Sequence, residues 1–565
     1  MFRTKQKWYT KCMDKKQQIY KKIYEQYDNW LSQTELEPEI RDELLDIKNS
    51  PEKIAEAFHK ELKFGTSGIR GIIGAGTNRM NVHVVEGITQ GLSNYVNKNF
   101  VKPSVVICYD SRKNSRKFAE KAAEVLMGNG IDAFIFSEIA TVSLLSYTIR
   151  KLHSSMGIII TASHNPKDYN GYKVYNQFGY QITGVDAKAI LDETEKINVF
   201  NDIKRGKISP FDNETEIINS FIEEITKATT IDEILDKNIL ENLRIVYTPL
   251  NGAGNLFVRK AFESVGFSNV FLVDSQMEAD ENFTTCAIPN PEKIQTYEES
   301  LKVLKSKHGD IIIATDPDCD RVGVALIHND QELLLTGNQL GILILDFLCT
   351  YGQPKKGQIV YRSIVSTPLI DKIAENYGLK VINTLTGFKY IGQNITQLES
   401  EGRIGDFFFG FEESNGYLVN PFVRDKDGVS SALIVCKMAA YYKAKGMDFV
   451  DRLNQIYKTY GNYSDWSFNY YFEGAKGQQK IKKIMDFFRT NVREKIGQST
   501  VIEVLDYLGE TGLPKEDVLE YHLNNEDKFI IRPSGTESKI KVYIFTYFDH
   551  KEIKKEIENI INIIE

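Results

Sequence analysis

Met156-Gly157-Ile158-Ile159-Ile160-Thr161-Ala162-Ser163-His164-Asn165-Pro166 runs from an apolar, β-rich segment into a turn that Pro166 limits. A short apolar run bounded by turn residues reads as a buried strand. In open α/β sheets ligands bind beyond the carboxyl ends of strands, so the strand reading places Ser163 where a site would be. Ser, Asn and Pro are also ordinary turn residues, and Ser163 alone reads equally as a turn serine capping a helix. A hydrolase triad is a poor fit. No G-x-S-x-G elbow surrounds Ser163, and adjacency leaves His164 badly placed to act as its base.

Outward from this stretch, β-rich runs such as Val105-Val106-Ile107-Cys108-Tyr109 alternate with amphipathic helical segments such as 115–128. That alternation is the α/β signature. It restarts at Leu243-Arg244-Ile245-Val246-Tyr247 and at Gln358-Ile359-Val360-Tyr361, each time after a polar stretch, near 200–214 and near 325–336. After residue 449 the pattern changes to aromatic-rich strands, charged helices and a final helix with Ile553, Ile557, Ile560, Ile561 and Ile564 on one face. The expected fold is therefore α/β, with three consecutive α/β domains followed by a C-terminal α+β domain. The expected limits are 61–212, 213–332, 333–448 and 449–565, after a helical extension over 1–60 in which Ile19, Ile23, Tyr24, Tyr27, Trp30 and Leu31 recur at helical spacing. No low-complexity segment or short-period repeat is evident.

At 565 residues the chain is too long for a single core. A net charge of -7 with both signs interspersed provides no extended basic surface, which argues against nucleic acid and leaves an anionic ligand to local cationic pockets. Six scattered cysteines without a C-x-x-C pair fit reduced thiols better than disulfides or a zinc site. Met1-Phe2-Arg3-Thr4-Lys5-Gln6-Lys7 has no apolar signal core, and no apolar run reaches the roughly 20 residues of a membrane span. A cytoplasmic protein without membrane contact is expected.

Three further stretches carry chemistry. Asp316-Pro317-Asp318-Cys319-Asp320-Arg321 follows the strand-like Ile311-Ile312-Ile313-Ala314 and sets three carboxylates on alternate positions. Hard oxygen ligands in threes suit Mg²⁺ that also binds a phosphate oxygen. An EF-hand is excluded, because its sixth position would be Arg321 rather than Gly and its twelfth Ile327 rather than Glu. A solvated acidic turn remains the alternative. Arg532-Pro533-Ser534-Gly535-Thr536 combines a forked guanidinium, two hydroxyls and a glycine that lets backbone N–H groups approach an anion, although Pro-Ser-Gly is also a common turn. Glu412-Glu413-Ser414-Asn415-Gly416 offers acceptors and a hydroxyl that would complement vicinal sugar hydroxyls, or simply a solvated turn. Phe64-Gly65-Thr66-Ser67-Gly68-Ile69-Arg70-Gly71 adds a glycine-bearing loop with one cation.

In this order the motifs resemble the α-D-phosphohexomutase superfamily from about residue 60 onward. Gly76-Thr77-Asn78-Arg79-Met80-Asn81 and Thr384-Leu385-Thr386-Gly387-Phe388-Lys389-Tyr390-Ile391 are similar to the phosphoglucomutase/phosphopentomutase branch. Ser538 and Asn251 stand where that family commonly has Pro and His.

The resemblance implies four domains around a central cleft. It implies that Ser163 carries a phosphoryl group, and that Asp316, Asp318 and Asp320 hold Mg²⁺ with a phosphate oxygen of phosphoSer163. Arg70, His164, Lys173 and Arg321 would surround the transfer site, with His164, Lys173 and Lys389 as candidate bases. Glu412 and Ser414 would bind sugar hydroxyls, with Lys389 in the sugar-sensing loop, and Arg532, Ser534, Gly535 and Thr536 would bind the phosphate not in transfer. The implied activity is interconversion of glucose 1-phosphate and glucose 6-phosphate through bound glucose 1,6-bisphosphate, with ribose, deoxyribose or mannose phosphates as alternative substrates. A metal-dependent phosphatase and a non-catalytic sugar-phosphate sensor are the rival classes.

Overall fold

The computed structural model describes residues 18–62, 68–231, 234–472, 474–534 and 538–564. The chain forms two compact units. One comprises Met1–Thr141, Thr148–Thr215 and Ala279–Pro289, and the other comprises Val142–Tyr147, Glu216–Glu278 and Asn290–Glu565.

The first unit is built on one sheet of β1 (Ile69–Ile72), β2 (Ser104–Tyr109), β3 (Asp132–Ile135), β4 (Met156–Ile160) and β5 (Tyr169–Asn176), in the order β1-β5-β4-β2-β3. β2 is parallel to β3 and β4, whereas β5 is antiparallel to β4 and β1. Every residue of β4 is buried, as a continuous apolar run demands when both faces of a parallel sheet are covered. The helices ahead of the sheet belong to this core. Tyr27 and Trp30 pack edge-on against Phe58, with ring centroids 6.0 and 5.7 Å apart, and Ile23 is buried with them while Ile19 is exposed.

The second unit contains three sheets. In the first, β6 (Ile245–Thr248), β7 (Val270–Leu272), β8 (Ile311–Thr315), β9 (Val322–His328) and β10 (Gln331–Leu334) take the order β10-β9-β8-β6-β7. In the next, β11 (Ile359–Ser363), β12 (Lys380–Thr384), β13 (Phe407–Glu412) and β14 (Gly416–Leu418) take the order β12-β11-β13-β14. The last is antiparallel throughout: β15 (Ser464–Tyr471), β16 (Lys495–Ile496), β17 (Ser499–Asp506), β18 (Leu519–Leu523), β19 (Lys528–Pro533) and β20 (Lys539–Thr546), in the order β15-β20-β19-β18-β17-β16.

One plan recurs in the first three sheets. A central strand is flanked by two parallel neighbours, and the later neighbour turns back into an antiparallel strand: β4 into β5, β8 into β9 and β13 into β14. The three turns hold Ser163, the aspartates 316–320 and Ser414 respectively. Each also holds a non-glycine residue in the left-handed region, Ser163 at φ 52°, Cys319 at φ 52° and Asn415 at φ 62°. Such residues each cost of order 1 kcal/mol or more, which the surrounding structure must offset. The repeat lies in topology and leaves no short-period trace in the sequence.

The polar stretch near 325–336 contains the β9–β10 hairpin. Its two-residue turn, Asn329-Asp330, has both φ values positive (49° and 63°), the geometry that suits the twist of a tight hairpin and that Asn and Asp tolerate. In the last sheet, Ile531, Ile540, Val542 and Ile544 face the helix Lys551–Ile563, whose Ile553, Ile557, Ile560 and Ile561 are buried. Ile530, Tyr543 and Phe545 face Ile364, Val365 and Leu385. Strand alternation therefore puts Arg532 on the face shared with Ile530. No helix among the described residues is long and apolar enough to cross a membrane, and the five described cysteines are buried thiols outside any disulfide.

Candidate functional site

In the first unit the turn after β4 is held from below by a buried ion pair. Arg112 and Asp110, whose side chains are wholly inaccessible, lie 3.2 Å apart at Nε and Oδ2. The Arg112 guanidinium donates to the carbonyls of Ser163, Asn165 (2.6 Å), Pro166 (2.9 Å) and Tyr169 (3.2 Å). Asp110 accepts from the hydroxyls of Thr161 and Ser115, both at 2.7 Å, and Thr161 Oγ1 in turn accepts from the Ser163 amide at 2.8 Å. Burial raises the Asp110 carboxyl above its usual range, with Arg112 and the two hydroxyls opposing. Ser163 thus sits in a left-handed conformation fixed on both sides.

Ser163 Oγ lies 3.2 Å from His164 Nδ1. Arg70, on β1, donates to Asn165 Oδ1 at 2.7 Å. Lys173, on β5, pairs with Ile159 of β4 and is buried. Gly171 lets β1 and the Thr161 backbone close on β5, since a Cβ there would lie 2.6 Å from the Thr161 carbonyl and 2.7 Å from that of Ile69. Of the residues expected around the serine, Arg70 and His164 meet its turn and Lys173 stands on the adjoining strand, Arg321 belongs to the second unit, and Phe64, Gly65, Thr66 and Ser67 lie outside the described residues.

In the second unit Asp316, Asp318 and Asp320 are all buried, and one carboxylate oxygen from each lies within 4.8 Å of the others. The solvated-turn reading fails on that burial. Asp316 Oδ1 accepts from the amides of Asp320 (3.2 Å) and Arg321 (3.0 Å), which curls the turn around it. Three converging buried carboxylates repel one another unless a cation compensates them, and an all-oxygen set fits Mg²⁺. Burial raises the Cys319 thiol well above its ordinary value, so it packs as a neutral group. Arg321 pairs with Glu292 at 2.6 Å.

The loop after β13 is tied to this turn. Asn415 Nδ2 donates to the Val322 carbonyl (2.8 Å), and the Val322 amide donates back to the Asn415 carbonyl (3.1 Å). Glu412 Oε1 accepts from the Gly387 amide at 2.6 Å, and burial pushes its carboxyl up to about 7, with Lys426 opposing. Ser414 is half-buried. Lys389 is buried beside Tyr390, its ammonium 5.1 Å from the ring centroid. Burial lowers its pKa, with Glu516 and Glu412 opposing.

Arg532 Nη1 donates to Thr386 Oγ1 at 2.7 Å, and the Ser534 amide donates to the Lys539 carbonyl at 2.9 Å. Gly535 and Thr536 lie outside the described residues. Sequence reasoning missed four charged groups here. Arg112 was overlooked although Asp110-Ser111-Arg112 also follows a buried strand. Lys541 stands opposite Arg532 in the β19–β20 register. Glu516 faces Arg532 and Lys389. Lys426 is buried at 3.2 Å from Asp320 Oδ2.

Comparison with known proteins adds the following. Residues 61–199, 219–329 and 336–460 match alpha/beta/alpha domains I, II and III of the phosphoglucomutase/phosphomannomutase family. The chain is 35% identical over 506 residues to a phosphoglucomutase of Staphylococcus aureus, covering 86% of this chain and 90% of the relative. It is 34% identical over 531 residues to that of Staphylococcus haemolyticus, covering 90% and 94%. A phosphoglucomutase/phosphomannomutase family protein from Burkholderia thailandensis shares the fold, with a TM-score of 0.67 at 17% identity over 89% of this chain and 98% of that one.

Proposed function

This chain belongs to the phosphoglucomutase/phosphomannomutase family and is an isomerase-class phosphotransferase, and from that premise we propose that it interconverts glucose 1-phosphate and glucose 6-phosphate through a phosphorylated Ser163. The carrying observation is the convergence of three buried carboxylates in a turn topologically equivalent to the one that presents Ser163.

Asp316, Asp318 and Asp320 would hold Mg²⁺, which would supply positive charge to neutralise the phosphoryl group carried by Ser163. In the first half-reaction the P–O bond to Ser163 breaks as a sugar hydroxyl oxygen bonds to phosphorus, and the Ser163 oxygen keeps the bonding pair and takes up a proton. The hydroxyl proton passes to a base, for which His164, Lys173 and Lys389 are the candidates. The product is glucose 1,6-bisphosphate. In the second half-reaction the other phosphoryl group of that bisphosphate returns to Ser163, which leaves the isomeric monophosphate.

Positioning and electrostatics dominate phosphoryl transfer, so the fixed geometry of the Ser163 turn is the expected preparation for it. Arg112 holds that turn, and Arg70 adds positive charge beside Asn165. Glu412 and Ser414 bind sugar hydroxyls. Arg532, Ser534, Gly535 and Thr536 bind the phosphate that is not in transfer, where small donors and one fork admit either pose of the bisphosphate. Burial lowers the Lys389 pKa, the direction that suits a base.

A coupled assay with Mg²⁺ and catalytic glucose 1,6-bisphosphate tests the reading. Conversion of glucose 1-phosphate to glucose 6-phosphate supports it, turnover only on ribose, deoxyribose or mannose 1-phosphate changes the substrate, and release of inorganic phosphate replaces it with a phosphatase.

A further inference from the structure

Ala279–Pro289 lies in the connection between β7 and β8, yet it packs in the first unit, while the chain on either side of it belongs to the second. The segment is a tight strap. Asp280 Oδ1 accepts from the Asn282 amide at 2.9 Å, and Oδ2 accepts from the Thr284 amide at 2.8 Å. The Phe283 amide donates to the Asp280 carbonyl at 3.1 Å, and the Phe283 carbonyl accepts from the Cys286 amide at 2.9 Å. Between these ties Phe283 is held at φ 46° with its side chain in the interior, the residue being 1% exposed. A bulky residue in the left-handed region is a genuine outlier, and strain of that kind persists only where the surroundings over-determine it.

The ring of Phe283 lies against the arginine that holds the Ser163 turn. Arg112 Cζ stands over it, 5.1 Å from the centroid. Nη1 of that arginine donates to the carbonyls of Pro166 and Tyr169, Nη2 donates to those of Ser163 and Asn165, and Nε faces Asp110. These partners occupy the edge of the planar fork and leave its faces for packing. Against a face, an aliphatic side chain offers only contact, whereas the negative face of an aromatic ring also stabilises a cation, and does so most strongly away from water.

We propose that Phe283 is a positioning residue for phosphoryl transfer, its ring backing the Arg112 guanidinium so that Arg112 holds the Ser163 turn in its left-handed conformation. The strain at Phe283 is the cost of aiming the ring at that guanidinium. The transfer part of this inference rests on the mutase reading; the hold on the turn does not.

The experiment replaces Phe283 with mono-, di- and trifluorinated phenylalanine, which keep the shape of the ring while draining negative charge from its face, and adds Phe283→Leu. On each protein kcat and KM are measured for glucose 1-phosphate with Mg²⁺ and catalytic glucose 1,6-bisphosphate. Amide hydrogen exchange is followed in the peptide spanning residues 161–171, where the amides of Ser163, Asn165 and Tyr169 are bonded within the turn. Along the series kcat should fall stepwise to roughly tenfold below wild type, exchange should quicken by a matching factor, and KM should stay near its wild-type value. Phe283→Leu should lose at least as much in both. Equal kcat and equal exchange across the fluorinated series overturn the inference even if Phe283→Leu is impaired, because the ring then acts only as filler. Fluorination preserves shape, so the series decides the matter where the leucine variant fails to fold. A wild type that turns over no sugar phosphate sinks the mutase reading instead, and the exchange series still decides whether the ring holds the turn.

Discussion

Arg532 Nη1 and Thr386 Oγ1 are joined by a 2.7 Å hydrogen bond that ties β19 of the last sheet to the loop before Lys389. The two residues sit at the edge of the apolar contact among Leu385, Ile530 and Tyr543. A guanidinium oriented by that hydroxyl is prepared for a phosphate on its remaining donors. Thr386→Val removes the hydroxyl with little change in shape. A hydrogen bond to a charged group contributes about 1.5–3 kcal/mol, so kcat/KM for glucose 1-phosphate should fall roughly tenfold or more, chiefly through KM. Steady-state kinetics at saturating Mg²⁺ check this.

Arg112 spans Asp110 and four carbonyls of the Ser163 turn with its side chain wholly buried. Arg112→Ala strands the Asp110 charge in the interior, and breaking a buried pair costs about 3–5 kcal/mol. Arg112→Lys keeps the charge but cannot span the carbonyls. It should lose at least about tenfold in kcat while unfolding at a temperature closer to wild type than Arg112→Ala does. Melting curves and kcat measured on the same preparations separate these effects.

Asp318 is one of three buried carboxylates that converge. Asp318→Asn should relieve like-charge repulsion and leave the metal-free protein at least as stable as wild type. The same change should abolish the rise in melting temperature on adding Mg²⁺. In wild type that rise reflects roughly 2.7 kcal/mol at a hundredfold excess of metal over its dissociation constant. Treatment with a chelator should abolish wild-type turnover, and Mg²⁺ should restore it.

Glu412 has its carboxyl pushed from 4.5 up to about 7 by burial. Between those values the unfolded chain has released a proton that the folded chain retains. Glu412 therefore contributes stability that is complete below pH 4.5, is lost as pH rises through 7 and does not change further above it. Activity runs the opposite way, because only the ionised form accepts without donating. kcat/KM should climb with an apparent pKa near 7, and Glu412→Gln should remove that limb, leaving only the titration of the substrate phosphate near pH ~6.

Much of this arrangement was legible in the chain, for reasons that also explain what was not. Met156–Ile160 reads as a buried strand because both faces of a parallel sheet are covered, and the structure has those same limits. Ile553, Ile557, Ile560 and Ile561 mark their helix because one stripe alone meets the sheet. The hairpin over 322–334 was hidden because the outer strand β10 is largely exposed and its sequence is polar. Asp316, Asp318 and Asp320 stood out by their alternate spacing, whereas Lys426 and Arg112 depend on partners distant in sequence. Within Arg424-Asp425-Lys426-Asp427 a run of charges looks like a solvated surface. Only the passage of the lysine stem over Gly416 makes it interior.

The central claim is that Ser163 carries the phosphoryl group between the two isomers. Incubation with glucose 1,6-bisphosphate bearing radiolabelled phosphate, followed by peptide mapping and a chase with unlabelled glucose 1-phosphate, tests it directly. The expected result is label on the peptide containing Ser163, its transfer to sugar bisphosphate and glucose 6-phosphate during the chase, and its absence from Ser163→Ala, whose turnover should drop by on the order of a thousand-fold or more. Full mutase activity without label at Ser163, or label released chiefly as inorganic phosphate, would contradict it.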